Sequence, residues 1–194
     1  MSRRTVRERG TTLLELLVAL GLGVALTLAA VSASAGALRL VARTAVRLEA
    51  DDVVQLAVEA FLFDVRRAGF DPRAVGVEAV AVATPARVVL QADLDGDGLL
   101  DAGSEEVTAY ACDLPGRRLS RILGAQSLPL ANDVVGCALA YSDDAGAAIP
   151  APASGLDAVT RGRVRLVTLD VALRPAGVVA ASARRTSVAL RVRP

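Results

Sequence analysis

The sequence predicts an α+β protein in which one long N-terminal helix packs on a C-terminal antiparallel β-sheet head. Three observations carry this expectation. No proline interrupts residues 11–69, where apolar residues recur at helical spacing. After Pro72 the apolar residues regroup into short β-like runs separated by Asp-Gly, Pro-Gly and Ala/Pro/Gly/Ser turns. With 194 residues, the chain has room for one ordinary domain plus an extended element.

Residues 1–10 set Arg3, Arg4, Arg7 and Arg9 against Glu8 and read as a basic leader outside the fold. Their charge favours a cytoplasmic N-terminus. From Leu16 to about Ala35 there is no charge, a stretch long enough to cross a bilayer as a helix. The helix is expected to continue beyond it. Leu38, Val41, Ala45 and Leu48 fall at 3-4-3 spacing, and Val53, Leu56, Ala60 and Phe63 repeat it after a one-residue slip. Arg39, Arg43, Arg47, Glu49, Asp51, Asp52 and Glu59 fill much of the remainder, which makes this half amphipathic. Arg66 and Arg67 in a last turn, Gly69 as C-cap and Pro72 beyond mark the end. Read as one helix, residues 11–69 extend about 85 Å at ~1.5 Å per residue. The expected organisation is therefore a leader at 1–10, a helix at 11–69 and a β-rich head at 70–194. The transmembrane half of the helix falls at about 12–35 and its amphipathic half at about 37–69.

Strands are expected at 75–82, 87–91, 106–111, 119–123, 134–141, 163–173 and 186–192, joined in one sheet on the outer half of the helix. Residues 145–160 read as a surface loop, with Asp143 and Asp144 as turn residues.

Hydrophobic residues make up 53% of the chain, high for a soluble domain, and the excess lies before residue 70. The formal charge is +1. Removing the leader takes four of 22 arginines and one of 21 acids, leaving 18 against 20 and a net −2. That balance argues against the mature chain as a whole being a polyanion binder. Catalysis has little to work with. There is no His, which excludes Ser-His-Asp and Cys-His arrangements, and no phosphate-cradling glycine loop ends in Lys-Ser/Thr. No enzyme is expected.

The distinctive stretch is Gly10-Thr11-Thr12-Leu13-Leu14-Glu15-Leu16-Leu17-Val18-Ala19-Leu20. It places one carboxylate, Glu15, inside an apolar membrane segment, where a charge at the bilayer centre costs roughly 2.5–3.5 kcal/mol and is rarely kept without a partner. A basic leader ending in Gly, followed by Thr-Leu-Leu-Glu and apolar residues, resembles the N-terminus of type IV prepilins and type II secretion pseudopilins. The resemblance implies cleavage by a prepilin peptidase between Gly10 and Thr11 and N-methylation of Thr11. It also implies pairing of Glu15 with the N-terminal amine of a neighbouring subunit during assembly. Thr11 departs from the Phe or Met usual at the first mature position. The stretch Asp64-Val65-Arg66-Arg67-Ala68-Gly69-Phe70, with Val107–Tyr110 and Arg118–Arg121, is similar to PilW-like minor pilins and to J-class pseudopilins. Expected partners are other pilin or minor pilin subunits, the peptidase and an inner-membrane assembly platform. The expected location is single-pass in the inner membrane with the head periplasmic, then an extracellular pilus or a periplasmic pseudopilus. A rival reading takes residues 16–35 as an ordinary signal sequence, with Ala33-Ser34-Ala35 as its cleavage site and a soluble calcium- or ligand-binding β domain released.

Within the head, Asp93, Asp95, Asp97, the Leu99 carbonyl and Asp101 match the first part of an EF-hand-type calcium loop. The twelfth position is Ser104 rather than Glu, with Glu105 and Glu106 one and two residues late. A solvated Asp-Gly hairpin between two strands is the alternative. No cofactor is required, and Ca2+ is the one candidate. Cys112 and Cys137 are the only cysteines. Outside the cytoplasm they are expected to form a disulfide contributing on the order of 3 kcal/mol; the alternative is two buried thiols. From Arg161 onward eight arginines accompany one acid, Asp170. With no aromatic residues among them, intramolecular pairing is favoured over contact with DNA.

Overall fold

The computed structural model describes residues 12–176 and 181–190. The chain divides into two compact units, Met1–Thr44 and Ala45–Pro194. One helix, α1 (Leu13–Arg67), runs through both with 55 residues.

In the first unit α1 is apolar and bare. Leu13, Leu16, Leu20, Val24, Leu28, Val31 and Leu38 are all exposed. Its hydroxyls turn back on the helix: Thr27 Oγ1 donates to Gly23 O at 3.0 Å, and Ser34 Oγ to Ala30 O at 2.8 Å. Such side chains bring no unpaired polar group to an apolar surrounding.

In the second unit the remainder of α1 is one wall of the core. Ala50, Val54, Ala57, Val58, Phe61 and Val65 are buried. Of the stripe that sequence spacing singles out, Leu48, Leu56 and Phe63 are exposed while Val53 packs partly against the core. This half of the helix has two apolar faces, and the head covers the one that carries Val54, Val58, Phe61 and Val65. The helix ends two residues before the expected Gly69. That glycine has φ 78°, the left-handed geometry of a helix terminator, and its N–H donates to Gln91 O at 2.8 Å.

The head holds two antiparallel sheets, a correction to the single sheet expected. The first runs in the order β1 (Val80–Ala83), β2 (Arg87–Gln91), β3 (Val107–Asp113), β4 (Arg118–Leu123), β5 (Gln126–Asn132). The second contains β6 (Val134–Ser142), β7 (Ala148–Ile149), β8 (Leu166–Leu173) and β9 (Ser182–Ala189), ordered β7-β6-β8-β9. The chain changes sheets at one residue, Asp133, whose φ of 58° turns the backbone sharply between β5 and β6. Val134 N–H then donates to Arg117 O at 3.2 Å instead of extending β5.

β5 lies outside the expected strands and contains Pro129. It is an edge strand, where a missing N–H is tolerated. The other edge, β1, is covered: Leu156 N–H donates to Ala83 O at 2.9 Å and Arg161 Nε to Val80 O at 3.2 Å. The expected loop at 145–160 contains β7 and a four-residue helix, α2 (Ala158–Arg161), capped by Asp157. Residues 75–79 are not a strand, for a reason given below. β9 begins four residues before the expected 186, and residues 191 and 192 of that expectation lie outside the described residues.

Cys112 on β3 and Cys137 on β6 form a disulfide with their Cα atoms 5.6 Å apart. It ties the two sheets together covalently. Tyr110, Tyr141, Phe61, Leu119 and Leu169 are the largest fully buried side chains.

Candidate functional site

Gly10 and Thr11, the expected cleavage and methylation positions, lie outside the described residues. Glu15 is exposed in the first turn of α1. Its N–H donates to Thr12 Oγ1 at 3.4 Å, so Thr12 caps the helix. A carboxylate there also complements the positive end of the helix dipole. The side chain is open to a partner.

The acidic loop joins β2 to β3, as the hairpin alternative requires, and no helix brackets it. Its shape comes from carboxylates accepting backbone N–H bonds. Asp93, fully buried, accepts from Gly96 at 2.8 Å and Gly98 at 3.1 Å. Glu106, also buried, accepts through Oε1 from Leu94 at 2.8 Å and through Oε2 from Asp101 at 2.9 Å. Asp95, Asp97 and Asp101 each accept from the N–H two residues on. The bond from Asp101 is the main influence holding the Glu106 carboxyl below the usual range; burial opposes it, and Leu94 and Asp95 reinforce it.

Oxygens of Asp93, Asp95 and Glu106 lie within 4.8 Å of one another. A hard cation such as calcium, which takes oxygen ligands, would find them in these three residues. Asp97 and Asp101 do not join that group, and Glu106 rather than Ser104 stands across from Asp93. The count of twelve misses it because the loop takes two extra residues before β3 begins.

The strongest polar cluster of the head was not expected. Asp64, on α1 and buried, accepts from Tyr110 Oη at 2.6 Å, Arg121 Nε at 2.6 Å and Arg67 Nη2 at 2.7 Å. Arg67 reaches on to Glu105 at 3.0 Å and stacks 4.3 Å from the Phe63 ring centre. Phe61 meets Tyr110 edge to face at 5.1 Å. The hydrogen bond to Asp64 raises Arg121 further, while burial, then the Asp64 charge, pushes the Tyr110 phenol up. Such a cluster fixes the helix to β3 and β4, with the Tyr110 hydroxyl and the Arg121 guanidinium both engaged on Asp64. A sequence signal existed in Asp64 falling three residues after the buried Phe61 and three before Arg67.

Asp71 is a second buried acid, just past the helix. It accepts from Val75, Gly76 and Val77 N–H at 3.1, 2.8 and 3.2 Å, which is why those residues do not pair in a sheet. Burial raises its pKa most strongly of any single influence, yet the bonds from Gly76, Val75 and Val77 together hold it below the usual range. The nearby cleft of about 310 Å³ includes Glu78, Arg161 and Arg165. Arg161 is already committed there to Val80 O, Leu156 O and Glu78. Arg163 likewise reaches Asp143 at 3.8 Å, in keeping with intramolecular pairing.

Searches against protein-family models and curated proteins return no match to this chain.

Proposed function

We propose that the chain is a prepilin-like subunit, a minor pilin of a type IV pilus acting in filament initiation or at the tip. One observation carries this reading. An unbroken 55-residue helix has an apolar first half with every large side chain bare, a lone carboxylate in its first turn, and a last half that walls a β head. A bare apolar helix needs lipid or other helices around it, and a filament core supplies the second after a membrane supplies the first. On this reading a prepilin peptidase cuts at Gly10–Thr11 and an inner-membrane platform passes the subunit to its neighbours. Glu15, desolvated in the core, pairs with a neighbouring amine; a buried carboxylate is tolerable there only as a pair.

A pseudopilin of a type II secretion apparatus has the same architecture and is the second reading. Glu15 within the apolar segment and the Gly10-Thr11-Thr12-Leu13-Leu14-Glu15 context favour both over the released soluble domain, whose cut would fall after Ala35.

The test is Glu15→Ala in cells that assemble filaments. Processing should persist while the amount of subunit in sheared filaments falls by at least about tenfold, the equivalent of ~1.4 kcal/mol. Unchanged incorporation contradicts the proposed role.

A further inference from the structure

After Glu15 the next charge is Arg39, leaving 23 uncharged positions at 16–38. As α-helix they extend about 34 Å, against a hydrocarbon layer of about 30 Å with roughly 5–7 Å of headgroup on each side. With Glu15 among the near headgroups, about 36 Å of helix brings Arg39 to the far edge of the hydrocarbon and Arg43, about 6 Å further along the axis, among the far headgroups. Both are exposed helical residues, and their four-residue spacing puts them on one stripe. Neither enters an ion pair among the described residues. No carboxylate occurs between Arg39 and Glu49. Arginines on this side run against the usual concentration of basic residues on the cytoplasmic side, so their placement calls for a local partner.

We infer that Arg39 and Arg43 bind the phosphates of anionic phospholipids in the far leaflet, holding the unassembled subunit at a fixed depth. The inference rests on the membrane-anchored reading of α1. The guanidinium is planar, always charged and matched to phosphate by paired N–H donors. Its apolar stem lies along the helix while the head reaches the interface. Arg47 continues the four-residue spacing but lies about 12 Å beyond Arg39, past the headgroup layer. Depth therefore separates it from the other two.

The full chain, with Arg3, Arg4, Arg7 and Arg9 of the leader changed to Gln in every sample so that the leader holds no anionic lipid, is reconstituted into vesicles of phosphatidylcholine mixed with phosphatidylglycerol. Spin-labelled versions of each lipid then report which is held at the protein, and a carbonate wash shows whether the chain is integral. This parent chain, with Arg39, Arg43 and Arg47 intact, should retain phosphatidylglycerol over phosphatidylcholine by at least about fivefold. Arg39→Gln combined with Arg43→Gln should bring the ratio close to one, and Arg47→Gln should leave most of it. Extraction of the parent chain by carbonate overturns the membrane reading and this inference with it. An integral chain with no preference, or one whose preference survives the double change, overturns the lipid contact alone. So does an equal loss from Arg47→Gln, which would point to general attraction or to acids of a second copy.

Discussion

The carboxylate of Asp64 accepts a hydrogen bond from the Tyr110 hydroxyl at 2.6 Å across 46 residues of sequence, inside the head. That bond, with the one from Arg121 at 2.6 Å, joins the last turns of α1 to the first sheet. Removing the acceptor strands a guanidinium and a phenol. Asp64→Ala should cost about 3–5 kcal/mol, as for other broken buried pairs, read from denaturant midpoints of the detergent-solubilised chain. Tyr110→Phe should cost only about 1–2 kcal/mol, since Arg121 and Arg67 still satisfy the carboxylate.

Alkaline stability follows from the same phenol. Its folded pKa is raised above the ordinary 10.0, by burial first and the Asp64 charge second, so the neutral form is favoured in the fold. Its contribution is complete below pH 10 and is lost as pH rises above that value. Tyr141, also raised by burial, acts in the same direction. Melting temperatures taken from pH 8 upward should fall beyond 10, and more gently in Tyr110→Phe.

On the acid side the sign reverses. Glu106 and Asp71 have folded pKa values below their ordinary 4.5 and 3.8, so each contributes stability above those values that is lost as pH falls through the folded ones. Glu106→Gln should flatten the decline between pH 4.5 and lower values in an acid titration followed by near-ultraviolet circular dichroism. It should also loosen loop 93–106, seen as faster amide exchange at Leu94 and Asp101.

Because Asp93 and Glu106 already accept the loop's own N–H groups, the head should keep its fold without metal. Prolonged chelation should leave the melting temperature unchanged. A collapse on chelation, reversed by calcium, would show that the backbone bonds are too weak to hold the loop alone.

The disulfide joins two sheets that otherwise share a core and a few backbone bonds. Cys112→Ser with Cys137→Ser should lower stability by about 3 kcal/mol, chiefly by freeing the unfolded chain. Thermal unfolding with and without reductant checks this, and the double variant should no longer respond to reductant.

The α+β class, Gly69 as the glycine that terminates the helix, strand β2 and the cysteine pair could be read in the sequence, because each rests on local rules. The second sheet could not. It depends on a left-handed Asp133, and nothing in Asn132-Asp133-Val134 separates a sheet change from an ordinary turn. The covered face of α1 was hidden because apolar residues occur on both faces of this half: Val54, Phe61 and Val65 are buried while Leu48, Leu56 and Phe63 are exposed, and helical spacing fits either set. Glu106 was hidden by counting, since a fixed ligand spacing fails when the loop is two residues longer. Asp64 and its partners come together over as many as 57 residues, beyond any sequence window.

The central claim is that α1 begins as the processed N-terminus of an assembling subunit. Mass spectrometry of the mature chain, taken from membrane or sheared-filament fractions, tests it most directly. The expected chain begins at N-methylated Thr11 and keeps the whole of α1. A chain that begins after Ala35 would contradict it.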